Sequence, residues 1–214
     1  MPCPLCSALK TDFFYADKKR RFLRCGECHL VFVSSEFLPS INIERAEYEL
    51  HQNSDDDLGY LKFLDRARLP LLNNIESPAN GLDFGSGPNP VLARRLAQDG
   101  FDMQVYDPLF APNPPQKPKN GFDFIVSTEA IEHFHQPDVE WQQWLDLLSP
   151  NGLLVIMTKR WLSVEKFANW HYKNDQTHVS FFNLATFEYL AKRDGFLLET
   201  PGADVVLMRR LCAV

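Results

Sequence analysis

The sequence predicts an α/β chain, a mainly parallel sheet with helices on both faces, preceded by a small cysteine-rich module. Three observations predict it. From about Gly81 onward, short β-prone runs alternate with helical stretches, the pattern of parallel strands joined by crossover helices. Phe196-Leu197-Leu198-Glu199 and Val205-Val206-Leu207-Met208 close the chain as a hairpin. Four of the five cysteines fall in residues 1–35, in two short pairs.

In order along the chain, residues 1–35 form the module. Its β-prone runs are Phe13-Phe14-Tyr15, Phe22-Leu23 and Leu30-Val31-Phe32-Val33, with Asp17 to Arg21 as a hairpin tip. Residues 36–78 are a helical linker or lid. Leu58, Leu61, Leu64, Ala67 and Leu71-Leu72 recur there at helical spacing, and Asn53-Ser54-Asp55-Asp56 offers a cap. Residues 79–214 are the main domain. Strands are expected at Gly81–Phe84, Met103–Tyr106, Phe122–Val126 and Leu153–Met157. Helices are expected at Val91–Gln98, around Trp141 and Trp144, where Pro150-Asn151-Gly152 stops the helix, and at Ala185–Lys192. Pro108 to Asn120 holds five prolines and is expected to be irregular.

A length of 214 residues, with 45% hydrophobic and 23% charged, suits one α/β domain and a small appendage. No run of about 18 apolar residues suggests a membrane span. The start of the chain lacks the basic-then-apolar pattern of a signal peptide. The expected compartment is the cytosol, where ordered cysteines point to metal rather than disulfides. Residues 1–35 hold six Lys/Arg against three Asp/Glu, yet the whole chain is at −6. An acidic main domain argues against tight binding of long nucleic acid there, and leaves a contact through the basic module open. Lys18 to Arg21 is either such a contact or a solvated tip.

Cys3-x-x-Cys6 and Cys25-x-x-Cys28 are separated by eighteen residues. Two tight turns, each presenting two thiolates, complete a tetrahedron, so a structural zinc is expected on Cys3, Cys6, Cys25 and Cys28. The other reading is a redox-active pair, which needs no second copy. Cys212 stands apart as an inert thiol.

Leu82-Asp83-Phe84-Gly85-Ser86-Gly87-Pro88 follows a strand and opens a helix. Gly85 and Gly87 let a ligand approach the backbone. Twenty residues past Gly87, Asp107 ends the next strand, where a carboxylate can accept both hydroxyls of a ribose. Pro90 stands where a dinucleotide fingerprint wants its third glycine.

Together with Val105-Tyr106-Asp107-Pro108, Ser127-Thr128-Glu129-Ala130-Ile131-Glu132-His133-Phe134 and Leu148-Ser149-Pro150-Asn151-Gly152, this loop resembles the class I S-adenosylmethionine (SAM)-dependent methyltransferase superfamily. The likeness is to its bacterial branch with an N-terminal four-cysteine zinc module. The resemblance implies a Rossmann-like sheet of seven strands, the last antiparallel. It implies SAM as cofactor, held by Asp83, Gly85, Ser86, Gly87, Asp107, Pro108, Ser127, Thr128 and Glu129. Two departures stand out. Asn89 replaces the third loop glycine. Only fourteen residues separate Asp107 from Phe122, too few for the usual helix, strand and adenine-reading acid, so the sheet is expected to be trimmed at that edge.

Methyl transfer from a sulfonium chiefly needs alignment, with a base only for a weakly acidic acceptor. Candidate bases and acceptor contacts are Glu132 and His133 after the third strand, and His171, Tyr172 and His178 after the fourth, with His178 favoured as base. The structural alternative has Glu129 and Glu132 capping a helix and the histidines packed in a loop. Tyr48 and His51 are candidates for a lid. The expected acceptor is a small molecule, with protein or nucleic acid open as alternatives. Rival readings are a zinc-containing adaptor with a vestigial fold and a nicotinamide-dependent oxidoreductase.

Overall fold

The computed structural model describes residues 1–49 and 54–211. The chain opens with β1 (Thr11–Ala16), β2 (Arg21–Cys25) and β3 (Val31–Val33), followed by helices α1 (Ile41–Glu49) and α2 (Leu58–Leu72). Then come β4 (Asn80–Phe84), α3 (Val91–Gln98), β5 (Asp102–Tyr106), β6 (Phe122–Thr128), α4 (Pro137–Leu147) and β7 (Leu148–Met157). The chain closes with α5 (Val164–Ala168), β8 (Ser180–Phe181), α6 (Leu184–Asp194), β9 (Phe196–Glu199) and β10 (Val205–Arg210).

The main sheet has the order β5-β4-β6-β7-β10-β9. Its first four strands are parallel, and β10 runs antiparallel to both neighbours. Alternation along β7 sends Leu154 and Ile156 to the face covered by α4 and α6, and Leu153, Val155 and Met157 to the face covered by α2 and α3. The sheet has six strands among the described residues, not seven, because β5 is its edge. The proline-rich segment covers that edge without forming a strand. The Gln104 side chain donates to the Gln116 carbonyl at 2.9 Å and accepts from its N–H at 2.8 Å. A segment with so few N–H donors cannot sustain a ladder.

The N-terminal strands form a second sheet, β1-β2-β3-β8, all antiparallel, whose last strand comes from the far half of the chain. Phe14, Phe22, Val31, Trp161, Phe167, Tyr172 and Phe181 fill the space between. Among the described residues no helix is long and apolar enough to cross a membrane.

Three local expectations need correction. The segment 40–76 is two helices, and the cap of the second is Asp57, whose side chain accepts from the Gly59 and Tyr60 N–H groups; of the expected cap, Asn53 lies outside the described residues, as do His51 and Cys212. Pro150-Asn151-Gly152 does not stop α4. That helix ends at Leu147, and the three residues form an irregularity inside β7, where the pairing with β6 shifts register. The tip at 17–21 is not simply solvated, because Arg20 is buried and donates to the backbone carbonyls of Lys173, Gln176 and His178. A guanidinium offers five donors in a fixed fork, and here it gathers three carbonyls of one loop.

Candidate active site

The chain leaves β4 through Gly85 (φ 79°) and Gly87 (φ 66°), left-handed backbone that glycine adopts without steric cost. A Cβ on Gly85 would lie 2.5 Å from the Ala130 Cβ, whereas on Gly87 it would meet nothing within 4 Å. Gly87 therefore faces open space. Its N–H donates to Asp107 Oδ2 at 2.9 Å, and the N–H groups of Leu109 and Phe110 donate to Oδ1 at 2.9 and 3.0 Å. The carboxylate is thus fixed against the glycine turn before any ligand arrives. Beneath the turn, Asp83 is buried at the end of β4. Burial pushes its carboxyl up to about 7, an N–H from Ala93 of α3 opposes this, and the charge of Asp107 adds to it.

Past β6, Glu129 sits at φ 47°, an unusual backbone conformation for a side chain of this size. Burial raises its carboxyl above the ordinary range, with the Lys159 charge opposing, and Oε1 is buried without a hydrogen-bond partner. Glu132 follows in a 3-10 turn over Ile131–His133 and is wholly enclosed. Its Oε2 accepts from the Thr158 hydroxyl at 2.8 Å and its Oε1 from the Tyr172 hydroxyl. Burial, reinforced by the nearby charge of Glu129, pushes Glu132 up to about 8. Neither acid caps a helix, since α4 starts only at Pro137.

The two inner histidines are oriented by backbone. His133 Nδ1 lies 3.1 Å from the Thr177 carbonyl, and His178 Nδ1 lies 2.7 Å from the Tyr172 carbonyl. A carbonyl only accepts, so in both rings Nδ1 carries the proton and Nε2 is the basic nitrogen. The rings meet edge to face with centroids 4.6 Å apart, and Tyr172 packs on His178 at 4.1 Å. Burial lowers His178 to about 4, although the Asp175 carboxylate stands 3.7 Å from Nε2 and favours the charged form. His171 is exposed, with Nε2 3.3 Å from Lys159 Nζ. Atoms of Glu132, His133 and His178 that could bind metal also lie within 4.8 Å of one another. Both Glu132 oxygens already accept from hydroxyls.

Apart from the enclosed Glu132, these groups line one cavity of about 710 Å³. It joins the glycine turn and Asp107 at one end to the histidines at the other. All the residues expected to hold the cofactor or the acceptor line it except Glu132 and Ser127. Ser127 is buried, and its hydroxyl finds no partner; neighbouring residues of a strand point to opposite faces, and Thr128 is the one that reaches the cavity. Tyr48 of α1 lines it too and packs on His133 at 5.0 Å. Lys159, Asp175 and Glu140 were not anticipated from sequence, because each arrives from a separate element with no local motif.

At the N-terminus, the Sγ atoms of Cys3, Cys6, Cys25 and Cys28 lie within 4.8 Å of one another, with Cys3–Cys28 and Cys6–Cys25 both at 3.5 Å. Four sulfurs this close, with no disulfide, have the donor set and size of a closed tetrahedral site.

A family profile described as "Methyltransferase domain" matches residues 56–200. No curated protein sequence matches the chain significantly. Among solved structures, the 1,6-didemethyltoxoflavin-N1-methyltransferase of Burkholderia thailandensis, solved with 1,6-didemethyltoxoflavin and S-adenosylhomocysteine, is similar with a TM-score of 0.56 at 14% identity. That match covers 94% of this chain and 100% of the other. The PH0226 protein of Pyrococcus horikoshii OT3 is similar with a TM-score of 0.51 at 14% identity, over 78% of this chain and 99% of the other. At such identities the likeness is one of fold.

Proposed function

This chain belongs to the methyltransferase domain family, and on that premise we propose that it is a SAM-dependent methyltransferase acting on a small molecule bound against His133, His171, Tyr172 and His178. The observation that carries this reading is the single cavity in which the glycine turn and Asp107 face the histidine cluster.

The residues present fit the cofactor. Gly87 leaves room for a ligand at the turn. Asp107 would hold the ribose hydroxyls, and Ser86, Pro108 and Thr128 line the same cavity. The unpartnered Glu129 Oε1 and the buried Asp83 suit the amino end of the methionine part, since an ammonium would satisfy acids that burial alone disfavours. When bound, the cofactor supplies an electrophilic methyl group on a sulfonium. The rest is done by the chain. The cavity aligns the acceptor atom. His178, neutral at physiological pH and held with Nε2 unprotonated, takes the acceptor proton. Tyr172, fixed by Glu132 and Thr158, orients the acceptor by its ring.

We further propose that residues 1–35 are a zinc module, 36–78 a linker and lid, and 79–214 the catalytic domain, working in the cytosol where four thiols stay available to metal. Calorimetric titration with S-adenosylhomocysteine tests the central reading: one site per chain is expected, and no binding at millimolar ligand would overturn it.

A further inference from the structure

Of the carboxyl groups lining the cavity, all but one have a role. Asp107 is bonded to the glycine turn, Asp83 and Glu129 flank the methionine end, Asp175 faces His178, and Glu44 accepts from His135 at 2.8 Å. Glu140 remains. It lines the cavity from α4, yet its Oε2 is buried with no hydrogen-bond partner. A buried carboxyl oxygen left unpaired costs free energy unless a ligand completes it.

Its surroundings are those of an aromatic slot. Glu140 stands four residues before Trp144, hence on the same side of α4. Trp144 packs on Phe84 at 5.5 Å and Phe134 at 5.9 Å, and Phe84 packs on Tyr106 at 4.8 Å. Tyr106, Leu109, Phe110 and Phe134 line the same cavity. β5 is the edge of the sheet, and among the described residues no further strand past Asp107 supplies an acid.

We propose that Glu140 reads the adenine amino group of the bound cofactor, from the helix wall rather than from the sheet. The idea rests on the cofactor reading above. Burial, partly offset by His135, pushes the Glu140 carboxyl up to about 7. In its neutral form it both accepts from an amino N–H and donates to a ring nitrogen, the pair of contacts that the adenine edge offers.

Titration calorimetry with S-adenosylhomocysteine and its 6-deamino purine analogue tests this. Wild type is expected to bind the analogue about tenfold more weakly. Glu140→Ala is expected to bind S-adenosylhomocysteine about tenfold more weakly and to treat both ligands alike. Glu140→Gln, which keeps an acceptor and a donor in the same shape, retains the preference. Equal binding of both ligands by wild type, or an undiminished preference in Glu140→Ala, overturns the assignment. If wild type binds neither ligand, the cofactor site itself falls, a result distinct from a lost preference.

Discussion

Arg20, at the tip of the β1–β2 hairpin, donates a hydrogen bond to the backbone carbonyl of His178 at 2.9 Å. It also holds the carbonyls of Lys173 and Gln176. Beside it, Lys173 Nζ stands 3.5 Å from Asp17 Oδ2. The loop that carries Tyr172 and His178 is thus anchored by the cysteine-rich sheet as well as by the domain it serves, through Glu132, His133 and Thr158.

Arg20→Ala should strip the loop of these contacts and leave its carbonyls buried without donors. A loss of about 3 kcal/mol in stability is expected. Turnover should fall further than affinity for S-adenosylhomocysteine, because the glycine turn and Asp107 lie on other elements. Chemical denaturation and calorimetry measure the two effects, and equal losses in both would contradict the anchoring role.

Removing the metal should act on the apolar core. Metal analysis of the purified protein should give one zinc per chain, and Cys25→Ser should abolish it. Cys25 and Cys28 belong to the apolar core that carries Trp141 and Phe187, so a drop in melting temperature should follow. Protein free of zinc with an unchanged melting temperature would rule out the site.

Gly87→Ala should separate binding from folding. The added methyl meets no protein atom, so only the positive φ costs stability, about 1 kcal/mol. The methyl would stand where the ligand passes. Affinity for S-adenosylhomocysteine should fall by more than tenfold, as it should in Asp107→Ala, and unchanged dissociation constants would show that the ligand lies elsewhere.

The pH dependence of stability should carry the mark of Glu132. Its folded pKa, about 8, lies above the ordinary 4.5. Between those values the folded state holds a proton that the unfolded state has lost. Stability therefore falls as pH rises through this window, by at most about 1.4 kcal/mol per unit. Glu132→Gln keeps an acceptor for one hydroxyl and lacks the proton, so its melting temperature relative to wild type should climb from pH 5 to pH 8. A constant difference would show that Glu132 is ionised in the fold. His178 has the opposite sign: with its pKa lowered from 6.5 to about 4, it favours the fold above 6.5 and loses that contribution as pH falls toward 4. The acid limb of the rate profile should then lie near 4 rather than 6.5.

Much of this was legible in residue order, for definite reasons. The bounds of α3, Val91–Gln98, follow from apolar spacing between Pro90 and Gly100. The β9–β10 hairpin and the cysteine spacing are likewise local signals. Asp83, Gly85, Gly87 and Asp107 come together because a strand, a turn and the next strand are neighbours in chain and in space. Glu132 stands out in the sequence as a candidate base, but its hydroxyl partners do not, because Thr158 and Tyr172 lie 26 and 40 residues away. Arg20 reads as an exposed tip because its partners lie more than 150 residues downstream.

The pairing of β3 with β8 sets an order of events at the ribosome. Val31 needs Phe181, and Phe32 needs Ser180, to finish their sheet. The first thirty-odd residues emerge early and must wait, with one edge open, while nearly 150 more are made. At about 5–20 residues per second this wait lasts roughly ten to thirty seconds. A nascent chain stalled before Ser180 therefore exposes Val31 and Phe32 to other strands, and early capture of metal by the four thiolates would limit that exposure.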